Sequence, residues 1–128
     1  MSDKFTVEII SPDQIISKQE TNEVIIPSFE GQMGILNNHI PLITFLRPGI
    51  ITIKAEGEKK YYVEEGTVEF SNNNLIILTS TARDLANLDK SRINKLLQKA
   101  EANLKTQSTD KERYIASYKL ETLKEISQ

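Results

Sequence analysis

EGQMGILNNHIPLITFLRPG, residues 30–49, sets three of the chain's five glycines, two of its four prolines and its only histidine between short apolar runs. Glycine supplies backbone angles that other residues resist, and proline fixes its own, so several turns here have set conformations. The apolar run 33–36 stops at Asn37-Asn38, and the run 42–46 stops at Arg47-Pro48-Gly49. Runs this short, each closed by a turn signal, read as strands.

Outward from this stretch the pattern continues. Phe5, Val7 and Ile9 alternate with Thr6, Glu8 and Ile10 before Ser11-Pro12-Asp13 ends the run, and 24–26 stops at Pro27. Residues 50–55 and 60–64 flank Glu56-Gly57-Glu58, which reads as a hairpin with a Gly-containing turn. Residues 67–70 and 75–79 flank Ser71-Asn72-Asn73-Asn74, a second hairpin whose Asn residues tolerate positive φ. The expected fold of residues 1–84 is an all-β sandwich or flattened barrel of about ten short strands.

The period then changes. All prolines and glycines lie at or before Gly66. Ile93, Leu96, Leu97, Ala100 and Leu104 fall on one helical face. Ile115, Tyr118, Thr122 and Ile126 repeat the spacing, widened by Ala116, Leu120 and Leu123. Thr109-Asp110-Lys111-Glu112 fits a capping box at the start of the second helix. Residues 85–128 are therefore expected to form an antiparallel two-helix hairpin. Charge divides at the same place: residues 1–84 hold twelve acids and seven bases, residues 85–128 six acids and nine bases.

Composition removes several function classes. With no cysteine there are no disulfides, thiolate metal sites or cysteine nucleophiles. No apolar run approaches the roughly 18 residues of a membrane span. The acidic start MSDKFTVEII reads as neither a signal nor a transit peptide. Glu30-Gly31-Gln32-Met33-Gly34 lacks the Lys and Ser/Thr of a phosphate loop. His39 has no Ser, Cys or carboxylate pair beside it to form a relay, so a structural or partner-contact role is expected. No catalytic residue and no metal site are expected. A sequence pI near 5.5, with tyrosines not interleaved with arginines, argues against nucleic acid.

The spacings E-G-x-x-G-I-L, x-x-H-x-P-L and L-x-P-G, in this order, resemble the epsilon subunit of rotary F-type ATP synthases. The resemblance extends through Tyr62-Val63-Glu64-Glu65-Gly66, Val68-Glu69-Phe70, Asn73-Asn74, Ile76-Ile77-Leu78, Ala82-Arg83-Asp84-Leu85 and Leu88-Asp89-Lys90-Ser91-Arg92. It departs at Glu65, where the family usually has the first of two glycines.

The resemblance implies a non-catalytic central-stalk rotor subunit on the cytoplasmic face of the bacterial inner membrane, peripheral to it. Its sandwich would bind the gamma subunit and the membrane rotor ring of a proton- or sodium-translocating enzyme. Ser28, Phe29, Glu30, Gly31, Gln32 and Met33 are then the candidate ring contact, with Met33 as an adaptable apolar tip. His39, Ile40, Pro41 and Leu42 are the candidate gamma contact. The family also implies a two-position regulator whose hairpin can extend toward the alpha/beta catalytic hexamer and slow ATP hydrolysis. Lys90, Arg92, Lys95, Lys99 and Lys105 would be its regulatory cationic face.

Leu88, Asp89 and Arg92 match a motif through which some bacterial epsilon subunits bind ATP, but Ile93 stands where that motif has a small Ala. Thr122 and Ile126 occupy the places of its two second-helix arginines, which removes the bidentate phosphate partners. Asp89 reads more simply as a carboxylate near a helix N-terminus, stabilised by about 0.3–1 kcal/mol. No cofactor is expected, and any ATP binding through Asp89 and Arg92 is expected to be millimolar or weaker, about −4 kcal/mol. The second functional reading is a stand-alone, weak ATP-binding sensor.

Overall fold

A computed structural model of the protein describes residues 4–127. Its ten strands are β1 (Phe5–Ile10), β2 (Ile15–Thr21), β3 (Glu23–Ser28), β4 (Gly31–Leu36), β5 (Leu42–Leu46), β6 (Gly49–Lys54), β7 (Glu58–Val63), β8 (Gly66–Ser71), β9 (Asn74–Leu78) and β10 (Arg83–Asp84). A 3-10 turn at Leu85–Asn87 precedes helices α1 (Lys90–Thr106) and α2 (Asp110–Ser127). The expected all-β fold with two C-terminal helices is therefore the observed one. The chain divides into two compact units between Leu85 and Ala86.

In the first unit the strands form two five-stranded layers, β4-β3-β6-β7-β10 and β5-β8-β9-β1-β2, joined through the Ser28–Leu46 bridge between β3 and β5. Pairings are antiparallel apart from β1 with β9, which is parallel. Alternation decides the core. Val7 and Ile9 of β1, Leu75 and Ile77 of β9, and Val68 and Phe70 of β8 all turn inward, opposite Val24, Ile26, Ile51, Ile53, Tyr61 and Val63 of the other layer. Phe5 meets Phe70 edge-on at 5.6 Å, a geometry that aromatic quadrupoles favour. Each such large side chain, once buried, stabilises the unit by roughly 1.5–3 kcal/mol.

Three elements differ from the sequence expectation. Strand β2, IISKQET, is mostly exposed or half-buried, so an edge strand carries little of the alternation that betrays a strand. Strand β10 is only two residues, Arg83 opposite Tyr62 and Asp84 opposite Tyr61. Strand β3 continues through Pro27 to Ser28. Proline is admitted because the ladder with β6 ends at Ile25, so no neighbour on that side calls for the missing N–H. The Pro27 carbonyl instead accepts the Arg47 N–H at 2.9 Å. The 71–74 turn behaves as expected: Asn72 and Asn73 adopt φ of 51° and 59°, the left-handed pair of a type I′ hairpin.

In the second unit Asp89 caps α1, its Oδ1 accepting the Arg92 N–H at 2.8 Å, and Thr109 Oγ1 accepts the Glu112 N–H at 3.1 Å ahead of α2. The helices pair along a seam of small side chains. Ala100 and Ala116 are buried and both line a shallow cleft of about 170 Å³ between the helices. In α2 the most buried residues are Ala116, Thr122 and Leu123, while Ile115, Tyr118 and Ile126 are half-buried. The expected stripe is thus rotated toward its widening residues. Thr122 stays satisfied when buried because its hydroxyl donates to the Tyr118 carbonyl at 2.8 Å.

Candidate interaction surface

The turn between β3 and β4 is assembled by Ser28 and braced from β5. Ser28 is fully buried, its hydroxyl donating to the Gly31 carbonyl at 2.7 Å and accepting the Glu30 N–H at 3.2 Å. Gly31 takes φ of 121°, a value that side chains resist. Arg47 Nε donates to the Ser28 carbonyl at 3.1 Å, so the LRPG motif reaches across and fixes the turn. Gly49 permits this approach: a Cβ there would lie 2.5 Å from Pro27 Cβ.

Of the six residues expected at a ring contact, the structure exposes Phe29, Glu30 and Gln32 and leaves Gly31 half-buried. Ser28 is turned inward and builds the turn. Met33 is not an apolar tip: it pairs with Ile26 and packs on the core. The apolar tip is Phe29, 39% exposed.

At the other end of β5, Asn38 and Asn73 clasp two turns together. The Asn38 N–H donates to Asn73 Oδ1 at 2.8 Å, and Asn73 Nδ2 donates to Asn38 Oδ1 at 3.1 Å. Asn38 pays for this with a φ of 65°, which asparagine tolerates. The clasp sets His39 edge-on to Phe70 at 5.9 Å, with Nδ1 donating to the Ile40 carbonyl at 2.7 Å. Ile40 and Pro41 project into solvent, and Leu42 packs partly on the core. His39 is thus an ordering residue of a loop whose exposed apolar part is Ile40-Pro41.

Between these two turns lies a surface that the sequence did not single out. Registered pairing places Phe45, Thr67, Leu78, Ile10 and Ile15 in one row across β5, β8, β9, β1 and β2, on the face opposite the core. Phe45, Leu78 and Ile15 are each at least half exposed, and Ile43 beside them is 75% exposed. The Phe29 N–H bonds to the Phe45 carbonyl, so the tip of the β3–β4 turn adjoins this row. Large contiguous exposed apolar patches are where proteins meet partners, which makes this row the candidate interaction surface. The signal was present in Ile9-Ile10, Ile76-Ile77-Leu78 and the nearly all-apolar 42–46, where both strand phases are apolar.

Tyr62 is fully buried and donates its hydroxyl to Glu64 Oε2 at 3.0 Å. Burial pushes its phenol well above the ordinary tyrosine range, and the charge and hydrogen bond of Glu64 push the same way, against a smaller opposing pull from Arg83.

On α1 all five expected cationic residues are exposed, but they do not form one face. At 3.6 residues per turn, Arg92, Lys95 and Lys99 fall within about 60° of one another, whereas Lys90 and Lys105 lie about 110–170° from the centre of that group. Asp89 and Arg92 are tied by the cap, with Asp89 Oδ1 bonded to the Arg92 backbone. Ile93 is buried at the next position.

The sequence model of the family described as ATP synthase, Delta/Epsilon chain, beta-sandwich domain matches residues 4–84. The chain is 46% identical to the ATP synthase epsilon chain of Pelagibacter ubique, over 99% of this chain and 100% of that one. It is 34% identical to the ATP synthase epsilon chain of Afipia carboxidovorans, over 97% of this chain and 92% of that one. Its fold is similar to a chain in the cryo-EM structure of the Euglena gracilis mitochondrial ATP synthase OSCP/F1/c-ring assembly, with a TM-score of 0.80 at 22% identity, covering 100% of this chain and 84% of that chain. A match of the family's sandwich to nearly all of the first unit, with relatives aligned end to end, gives the affiliation: the chain belongs to the family of ATP synthase epsilon chains.

Proposed function

We propose that this chain is the non-catalytic central-stalk rotor subunit of an ATP synthase, its sandwich wedged between the gamma subunit and the membrane rotor ring. The observation that carries the reading is the apolar row Phe45–Leu78–Ile10–Ile15, which with Ile43 and Ile40 leaves large side chains in water. A subunit that spends its life against a partner has reason to keep such a face; the family supplies gamma as that partner. Phe29, Glu30, Gly31 and Gln32 are the ring contact, on a turn held rigid by Ser28 and Arg47. Ile40 and Pro41 extend the gamma contact beyond β5.

Torque transfer needs stiffness, and the β5 strand joins the two contacts directly. Its five residues span about 16 Å at 3.3 Å per residue, with a braced turn at each end. Among the described residues no helix is long and apolar enough to cross a membrane, which fits a subunit attached through partners at the cytoplasmic face of the bacterial inner membrane.

The hairpin is the regulatory part. In this reading it reaches beside gamma toward the alpha/beta hexamer and slows hydrolysis, with Arg92, Lys95 and Lys99 as the cationic contact. Two postures separated by a few kcal/mol suffice for ligand or membrane energy to shift their populations. The ATP site at Asp89 and Arg92 is weak, because Asp89 is engaged as a cap and the buried Thr122 replaces a guanidinium.

Co-purification with gamma, followed by ATPase assay of the assembled enzyme with and without residues 86–128, tests the proposal. A stable complex and faster hydrolysis on truncation are expected. Failure to associate with gamma, or a monomer that binds ATP alone, would favour the sensor reading. Association with unchanged hydrolysis would remove the brake and leave the stalk role.

A further inference from the structure

Where β1 ends and β9 ends, the sandwich opens into a cleft of about 430 Å³. Its apolar side is Ile10, Pro12 and Leu78; its polar end is Glu65 with Ser80. Glu65 Oε1 accepts the Ser80 hydroxyl at 2.8 Å and the Ser80 N–H at 3.4 Å, which holds the carboxylate against the strand end. The Thr79 hydroxyl donates to the Glu65 carbonyl at 2.6 Å and fixes the backbone as well. Oε2 takes no hydrogen bond among the described residues, and no Lys or Arg lines the cleft. A carboxylate fixed in place, facing an apolar trough with no cation of its own, is built to receive one.

Ile10 and Leu78 belong both to this cleft and to the exposed apolar row, so the cleft is continuous with the gamma-facing surface. We infer that the cleft receives a lysine or arginine side chain of the gamma subunit, its aliphatic stem lying over Ile10, Pro12 and Leu78 and its charged head on Glu65. The inference deepens the stalk reading and rests on it. Long basic side chains lay their methylenes along apolar surface while the head stays on a polar partner. A charge-assisted hydrogen bond supplies orientation as well as attraction. The remaining charges of the outer face favour the same sign of partner: Glu8, Glu20 and Glu69 stand on it, with Lys18 opposite Glu8 in the β1–β2 register.

The test measures binding of the full chain to the catalytic hexamer carrying gamma, at low and at high salt. Glu65→Gln keeps an acceptor for Ser80, and Glu65→Gly removes the side chain altogether. Both are expected to weaken low-salt binding about tenfold and to flatten the salt dependence, with the thermal midpoint of Glu65→Gln close to wild type. Replacing one gamma lysine or arginine by Glu should give a matching loss, recovered in part by Glu65→Lys. Wild-type affinity and an unchanged salt slope in both Glu65 variants would overturn the anchor while leaving the stalk reading intact. No binding by the wild-type chain would overturn the stalk reading, and the anchor with it.

Discussion

Replacing Gly49 by alanine tests how the turn between β3 and β4 is held. The added Cβ would stand 2.5 Å from Pro27 Cβ and 2.8 Å from Pro27 Cγ, well inside contact distance. Both partners are stiff, since the obstacle is a proline ring locked to its own backbone and the newcomer is attached to a strand. Neither can rotate away, so β3 and β6 must part locally, and overpacking of this kind costs about 1–3 kcal/mol. For a sandwich of this size that lowers the melting temperature by roughly 4–24 °C. Urea unfolding of the same variant should move its midpoint with little change in slope. Gly57→Ala is the matched control: nothing lies within 4 Å of its Cβ, and its melting point should stay level or rise by a few degrees. If Gly49→Ala melts with the wild type, the close approach of Pro27 does not constrain the fold, and the bracing described for Ser28 and Arg47 falls with it.

Other outcomes are expected. Asp89→Ala removes the cap on α1 and should destabilise that helix end by about 1 kcal/mol, read as faster amide exchange at the first turn and at Arg92 in particular. Because Tyr62 holds its proton more tightly when folded, its contribution is complete below the ordinary tyrosine pKa of about 10 and is lost as pH rises above it. Stability measured from pH 9 upward should therefore fall less steeply in Tyr62→Phe than in wild type, and equal slopes would refute the assignment. A thermal-shift titration with Mg-ATP should give little stabilisation below millimolar concentration; a saturable micromolar response would show that Asp89 and Arg92 hold nucleotide after all.

The sandwich was legible because a buried layer imposes strict alternation on its strands, and Val7-Ile9 and Val68-Phe70 obey it. Strand β2 was not, since an edge with Ser17, Lys18, Gln19 and Glu20 carries no such constraint. Nor was the passage of β3 through Pro27, which depends on where a neighbouring ladder stops. The turns were foreseen from Gly31, Asn72 and Asn73, whose backbone angles are intrinsic to the residue types. Which residues a turn shows to solvent depends on its tertiary setting, so Ser28 and Met33 were expected outward and lie inward. The apolar row was hidden for a similar reason. Alternation with Phe5 and Val7 already turns Ile10 outward, but only the pairing across β5, β8, β9, β1 and β2 brings Phe45, Leu78 and Ile15 into one row with it. The α1 charges were seen, but their division between two sides follows from helical geometry applied residue by residue.

The parallel partnership of β1 with β9 has a consequence during synthesis. Residue 10 cannot find residue 78 until the intervening stretch has been translated. At about 5–20 residues per second that is a delay of roughly 3–14 s, far longer than the microseconds a local hairpin needs. Through that interval the nascent β1–β2 hairpin carries Val7 and Ile9 uncovered and one flank open to any passing strand. A circular permutant that begins at β2 and carries β1 after α2 would make Val7 and Ile9 only once β9 is in place, moving the wait from β1 to its partners β2 and β9.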